Sequence, residues 1–170
     1  MNSSVGITVV LPVQNCQRHV VPILEDTLDV LAAITPYFQI VVIDLASEDY
    51  TYELTVELAY KYPQLDALRL APELPPQLHS KKVREYSLRS SRYCVSAILP
   101  INWRLTAQQA YELMENVALY AWRQENEQAD SAKEKEEGLA HTQPPGPHAK
   151  KLVGTQSSWG AELSIKESAL

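Results

Sequence analysis

Glycine is almost missing from the body of this 170-residue chain: of its five glycines, none falls between Ile7 and Glu137. Loops that wrap phosphate use glycine because the backbone must approach in conformations other residues avoid, so a Walker loop and a GxGxxG fingerprint are both excluded. Cysteine is scarcer still. Cys16 and Cys94 stand far apart, in neither CxxC nor Cys/His spacing, which argues against a disulfide framework or a zinc site and for reduced thiols in a cytoplasmic protein. The stretch from Met1 to Gly6 lacks the basic and apolar segments of a signal peptide, and no apolar run reaches the length of a membrane span. A net charge of -6 argues against a nucleic-acid partner, whose many phosphates need cations, but leaves room for a local basic patch around one small anion.

What is present suits one α/β domain. With 45% hydrophobic residues the chain can bury a core. Ile7 to Val13 (ITVVLPV), Phe38 to Asp44 (FQIVVID), Ala67 to Leu70 and Tyr93 to Leu99 (YCVSAIL) read as strands, the first, second and fourth buried on both faces as in a parallel sheet. Between them, helical spacing of apolar residues predicts helices over His19 to Ala33, over Glu48 to Tyr62 with Ser47 as N-cap, and over Lys81 to Ser90. The stretch APELPPQLHS is too rich in proline for anything but loop. Thr106 and Gln109 form a capping box that opens a helix striped by Ala110, Leu113, Met114, Val117, Ala118 and Ala121. The expected architecture is a three-layer α/β sandwich with a mainly parallel sheet built from right-handed crossovers. The expected domain spans residues 5–126; residues 127–170, charged and then broken by proline and glycine, are expected to be a polar, disordered tail in which Leu152, Val153, Trp159, Leu163 and Ile165 supply a small docking element.

Taken in order, ITVVLPVQN, VPILEDTLDVLAAI, FQIVVIDLASEDYTYELTVELAYKYPQLDALRL and KKVREYSLRSSRYCVSAILPINWRL resemble a family 2 glycosyltransferase from Val5 to Trp122. That family places PVYNE after its first strand, DDGSxD after its second and DxD after its fourth. The resemblance implies the GT-A fold and a nucleoside-diphosphate sugar bound beyond the carboxyl ends of the strands, the usual location in open α/β sheets. It puts Pro12, Val13 and Asn15 beside the nucleotide and Asp44 on its base or ribose, and it keeps Ser47 and Asp49. The departures are as informative. Gln14 and Cys16 replace the aromatic and the acid of the first motif, Leu45 and Ala46 replace an aspartate and the glycine of the second, and Leu99, Pro100 and Ile101 stand at DxD. From Tyr86 through Tyr111 there is no carboxylate at all, so the divalent-metal site is expected to be lost and no cofactor is implied. The family's second half, with acceptor site and catalytic base, has only one helix and the tail as its counterpart.

Each candidate has an ordinary alternative. Asp44 is either a ligand contact or a polar residue closing a strand. Lys81, Lys82 and Arg84, with Arg89, Arg92 and Arg104 nearby, either hold a diphosphate without metal or form a solvated helix face. Glu112 and Glu115 read as solvated-face residues; Trp103, Trp122 and Trp159 read as packing residues; Cys94 reads as a small core residue and Cys16 as a loop thiol. The leading expectation is a degenerate glycosyltransferase-like protein that has lost metal-dependent transfer and keeps residual nucleotide-sugar binding. Two alternatives stand beside it: a working metal-independent transferase, and a non-catalytic module whose partner is another protein.

Overall fold

A computed structural model describes residues 6–137 and 157–165, with backbone alone over 127–137. Strands β1 (Ile7–Val13), β2 (Phe38–Asp44), β3 (Leu65–Arg69), β4 (Val95–Ile98) and β5 (Glu162–Ile165) form one sheet in the order β3-β2-β1-β4-β5. The first four are parallel and β5 runs antiparallel to β4. Helices α1 (Val20–Ile34), α2 (Thr51–Lys61) and α4 (Ala107–Glu137) contribute to the core on one face, where Ile7, Val9, Leu11 and Val13 of β1 meet Leu24, Leu31, Leu58 and Leu113. On the other face Val10, Val41, Ile43 and Ile98 pack against Val83 of α3 (His79–Ser90). This is the expected three-layer α/β sandwich with a mainly parallel sheet.

The alternation of side chains along a strand explains both cores and one feature the apolar runs concealed. Thr8, Gln39 and Ser96 lie in one row across β1, β2 and β4, all buried. The Thr8 hydroxyl donates to Gln39 Oε1 and accepts the Tyr93 N–H, while Gln39 Oε1 also accepts the Arg92 N–H at 2.8 Å. Ser96 Oγ joins Ser87 and Ser91 of the α3 side at 2.7 and 3.2 Å. Every buried side-chain polar atom among the described residues has a partner, as a stable interior requires.

Several boundaries differ from the sequence expectation. Helix α2 begins at Thr51 rather than near Glu48, because the Ser47 hydroxyl is drawn to Asp44 and so does not cap it; Asp49 accepts the Thr51 N–H instead. The proline-rich stretch is not all loop: Pro76–Leu78 makes a 3-10 turn that leads straight into α3, proline being tolerated where a helix has no N–H to lose. Strand β4 is shorter than expected, and Cys94 lies half-buried before it rather than in the core. The capping box is present, with Thr106 Oγ1 accepting the Gln109 N–H at 3.3 Å and Gln109 Oε1 accepting the Thr106 N–H at 3.0 Å.

The largest difference concerns the expected tail. Helix α4 crosses the boundary at residue 126 and runs to Glu137, in keeping with the alanine, glutamate and lysine of that stretch, all strong helix formers. Residues 162–165 then complete the sheet edge, so this part of the tail belongs to the domain. Leu152, Val153 and the remainder of residues 138–156 and 166–170, together with the signal-peptide question at residues 1–5, lie outside the described residues. Trp122 does not pack: it is 62% exposed. No helix among the described residues is long and apolar enough to cross a membrane.

Candidate functional site

The carboxyl ends of β1, β2 and β4 carry three non-glycine residues with positive φ: Asn15 at 46°, Ala46 at 57° and Asn102 at 57°. Asparagine adopts this left-handed conformation more readily than other residues with a side chain, whereas alanine pays about 1–2 kcal/mol for it. Ala46 takes this conformation without glycine's freedom and meets its cost. Ala46→Gly is therefore expected to stabilise the fold by roughly 0.5–1 kcal/mol after allowing for glycine's extra freedom when unfolded, read as a higher urea midpoint.

The loops around these turns are tied to one another. Asn102 from the β4 side accepts the Gln14 N–H and donates to the Gln14 carbonyl, both at 2.9 Å, and Gln14 Nε2 donates to the Leu45 carbonyl at 3.2 Å. The Asn15 N–H donates to Ser47 Oγ at 3.0 Å, and Asn15 Oδ1 accepts the Glu48 N–H at 2.9 Å. Cys16 N–H reaches Thr51 Oγ1 at 2.8 Å; Gln17 N–H reaches Asp49 Oδ2 at 3.1 Å and its side chain accepts the Tyr50 N–H. The backbone edge of the loop after β1 is thereby spent on the loops after β2 and β4.

Asp44 sits at the centre of this arrangement, fully buried. The β2–β3 register puts Arg69 beside it, and Arg69 Nε lies 3.1 Å from Asp44 Oδ2. Ser47 gives Asp44 both its N–H, at 3.1 Å, and its hydroxyl. Arg69 in turn donates to the Ser47 carbonyl, approaches Glu53 at 3.6 Å and lies 5.1 Å over the Tyr52 ring. For Asp49, burial pushes the carboxyl up, but the Thr51 hydroxyl and the N–H groups of Gln17 and Thr51 outweigh it and hold the group below its usual range.

Cys16 is the loop thiol expected from sequence, and it is buried. Burial pushes its thiol up, partly offset by the bond to Thr51. The stability it contributes is thus fully present below the ordinary thiol range and is lost as pH rises through the raised value. In the native chain Cys16 should react with a thiol reagent far more slowly than after denaturation; equal rates would contradict its burial.

An open cleft of about 220 Å³ remains beyond the strand ends. Pro12 and Leu45 line it from β1 and the end of β2, Leu99, Pro100 and Ile101 from the end of β4, and His79, Ser80 and Arg84 from α3. Of the residues expected at a nucleotide, Pro12 lines this cleft, Val13 is core, and Asn15, Asp44, Ser47 and Asp49 are brought together in the loop network. Of the expected diphosphate ligands, only Arg84 lines the cleft: Lys81 is exposed on α3, and Lys82 binds Glu85 at 2.7 Å, which holds the Glu85 carboxyl below its usual range. Arg89 shares Glu85 with Lys82, while Arg84 meets Glu162 and Arg104 meets Asp26, so these cations are divided among three carboxylates.

The donor set at the DxD positions does not fit a hard divalent cation, which takes oxygen ligands and above all carboxylates. Leu99 is buried, Ile101 is 55% exposed, and Glu162, the one carboxylate among the residues lining the cleft, is held by Arg84 at 2.8 Å. Among the described residues no three or more His, Cys, Asp or Glu gather as a metal site.

No family model matches the sequence, and no curated protein matches it. Solved structures do. TarS of S. aureus matches with a TM-score of 0.49 and 12% identity over 94% of this chain and 47% of that one. Glucosyl-3-phosphoglycerate synthase from Mycobacterium tuberculosis, solved with Mn2+, UDP and glucosyl-3-phosphoglycerate, matches at 0.40 and 18% over 56% and 33%. The mannosyltransferase PcManGT from Pyrobaculum calidifontis, solved with GDP-Man and Mn2+, matches at 0.42 and 21% over 61% and 30%. The chain resembles part of each of these three structures at low identity. It spans less than half the length of each of these structures.

The sequence pointed to Asp44, Ser47 and the loop position of Gln14 but missed Thr51, Arg69 and Asn102, which hold the loops in place. Asn102 alone had a local signal, an asparagine directly after the Pro100-Ile101 strand exit. The others act through partners far away in the chain.

Proposed function

We propose that this chain is a glycosyltransferase-like domain that has lost metal-dependent glycosyl transfer and keeps a metal-independent binding cleft for a nucleoside diphosphate or its sugar. The observation that carries this reading is the cleft itself, at the carboxyl ends of β1 and β4 where open α/β sheets take ligands, with Arg84 in its wall and Leu99, Pro100 and Ile101 in place of carboxylates. Arg84 offers charge-assisted hydrogen bonds to phosphate oxygens, the apolar residues Leu45, Val83 and Ile98 offer a surface for a base or sugar face, and the hydroxyl of Ser80 can donate. The loop network of Asn15, Asp44, Ser47 and Asp49 supports this site from below rather than touching the ligand.

Amide chemical shifts recorded during titration with UDP and with GDP-mannose test the reading. The expected result is movement of the amides of His79 to Arg84 and of Leu99 to Ile101, with those of Gln14 to Gln17 little changed. Movement centred on Gln14 to Gln17 and Ser47 to Thr51 instead would return the ligand to the loops and overturn the assignment.

A further inference from the structure

We infer that Glu162 is an internal competitor for the cleft, an autoinhibitory contact carried by the segment Ser157 to Ile165; this rests on the binding reading above and concerns its regulation. The segment enters after residues 138–156 and is fastened at several points. Trp159 stacks on Trp103 with ring centroids 6.2 Å apart and planes 16° from parallel, and its indole N–H donates to Glu112 at 2.8 Å. Ser157 closes a turn through its N–H on the Ala161 carbonyl, at 2.9 Å, and through its hydroxyl, which accepts the Ala161 N–H at 2.7 Å. Gly160, at φ 95°, makes that turn possible. Ala161 and Leu163 are buried, and β5 pairs with β4 from Ile98↔Glu162 to Val95↔Ile165.

This fastening sets Gly160 and Glu162 in the cleft wall, with Glu162 opposite Arg84. The Arg84 Nε lies 2.8 Å from one carboxylate oxygen and donates to the other at 2.9 Å. A carboxylate and a phosphate oxygen are equivalent acceptors for a guanidinium, so the two compete for its charge and for the Nε–H that Glu162 holds. A phosphorylated ligand therefore competes with Glu162 for the charge of Arg84 and for its Nε–H. Because the pair is partly exposed, at 59% and 32% of the two side chains, the exchange faces a low barrier of solvation and the competition is reversible.

The experiment is calorimetric titration of the full chain and of Glu162→Gln with UDP and with uridine. Glu162→Gln keeps the side chain's size and the strand while removing the competing charge, so UDP should bind about three- to fivefold tighter than to the unsubstituted chain, and uridine, without phosphates, should gain nothing. Equal or weaker UDP binding by the variant overturns the competition and leaves the cleft reading standing. An equal gain for uridine also overturns it, since the effect then comes from room and not from charge. Absence of UDP binding to either protein overturns both this inference and the reading on which it rests.

Discussion

Asp44→Ala should lower the stability of the domain by about 3 kcal/mol, seen as a lower urea midpoint with little change in slope. The carboxylate is fully buried and serves three donors: Arg69 Nε, the Ser47 N–H and the Ser47 hydroxyl. Breaking a buried pair by removing one partner costs about 3–5 kcal/mol, because the remaining charge and donors lose their acceptor. The lower end applies because Arg69 is 36% exposed and keeps Glu53, the Ser47 carbonyl and the Tyr52 ring. Asp44→Asn, which retains an acceptor but loses the charge, should cost less. The size of the effect separates two roles. A carboxylate reserved for a ligand is a burden in the empty protein, so its removal is neutral or stabilising; one that organises the loops is missed at once. A loss under about 1 kcal/mol would return Asp44 to the ligand.

Gly6→Ala should cost about 2–3 kcal/mol and lower the melting temperature by roughly 5–12 °C. A Cβ at Gly6 would lie 2.3 Å from the Tyr37 carbonyl oxygen, 2.7 Å from a ring carbon of Tyr93 and 2.9 Å from the Tyr37 Cβ. The first neighbour decides the outcome. The Tyr37 carbonyl accepts the Ile7 N–H at 3.1 Å as β1 starts to pair with β2, and moving it away opens the central strand pair. A scanning-calorimetry trace within 2 °C of the unsubstituted chain would show that the entry to β1 yields more easily than this geometry allows.

Much of the fold was legible because buried parallel strands are continuous apolar runs: β1 and β2 match their expected limits residue for residue. The capping box of α4 was equally plain, being a local pattern with a local cause. What escaped was whatever depends on distant partners. Ser47 looks like an N-cap in sequence, but its hydroxyl donates to Asp44 three residues before it and accepts the Asn15 N–H from the loop after β1. Glu162 to Ile165 is too short to show a period, and it becomes a strand through the open edge of β4. Composition misread residues 127–137, where charge density suggested a tail while the helical propensity of the same residues carried α4 onward.

The candidate site divides along the same line. Asp44 was visible as a polar residue ending a buried strand, but its partner Arg69 follows from the β2–β3 register, which no local pattern encodes. The absence of carboxylates at Leu99, Pro100 and Ile101 could be read directly. The apparent basic cluster could not, because its pairing with Glu85, Glu162 and Asp26 draws on three separate parts of the chain.

The central claim is that the cleft binds a nucleoside diphosphate through its own side chains and without a divalent cation. Calorimetric titration of the full chain with UDP and with GDP, each in the presence of manganese and of a chelator, tests it most directly. Affinity should agree within about twofold between the two conditions, since among the described residues no carboxylate set stands ready to bridge an ion to the diphosphate. Binding that manganese strengthens about tenfold or more, or that is absent in both conditions, would contradict it.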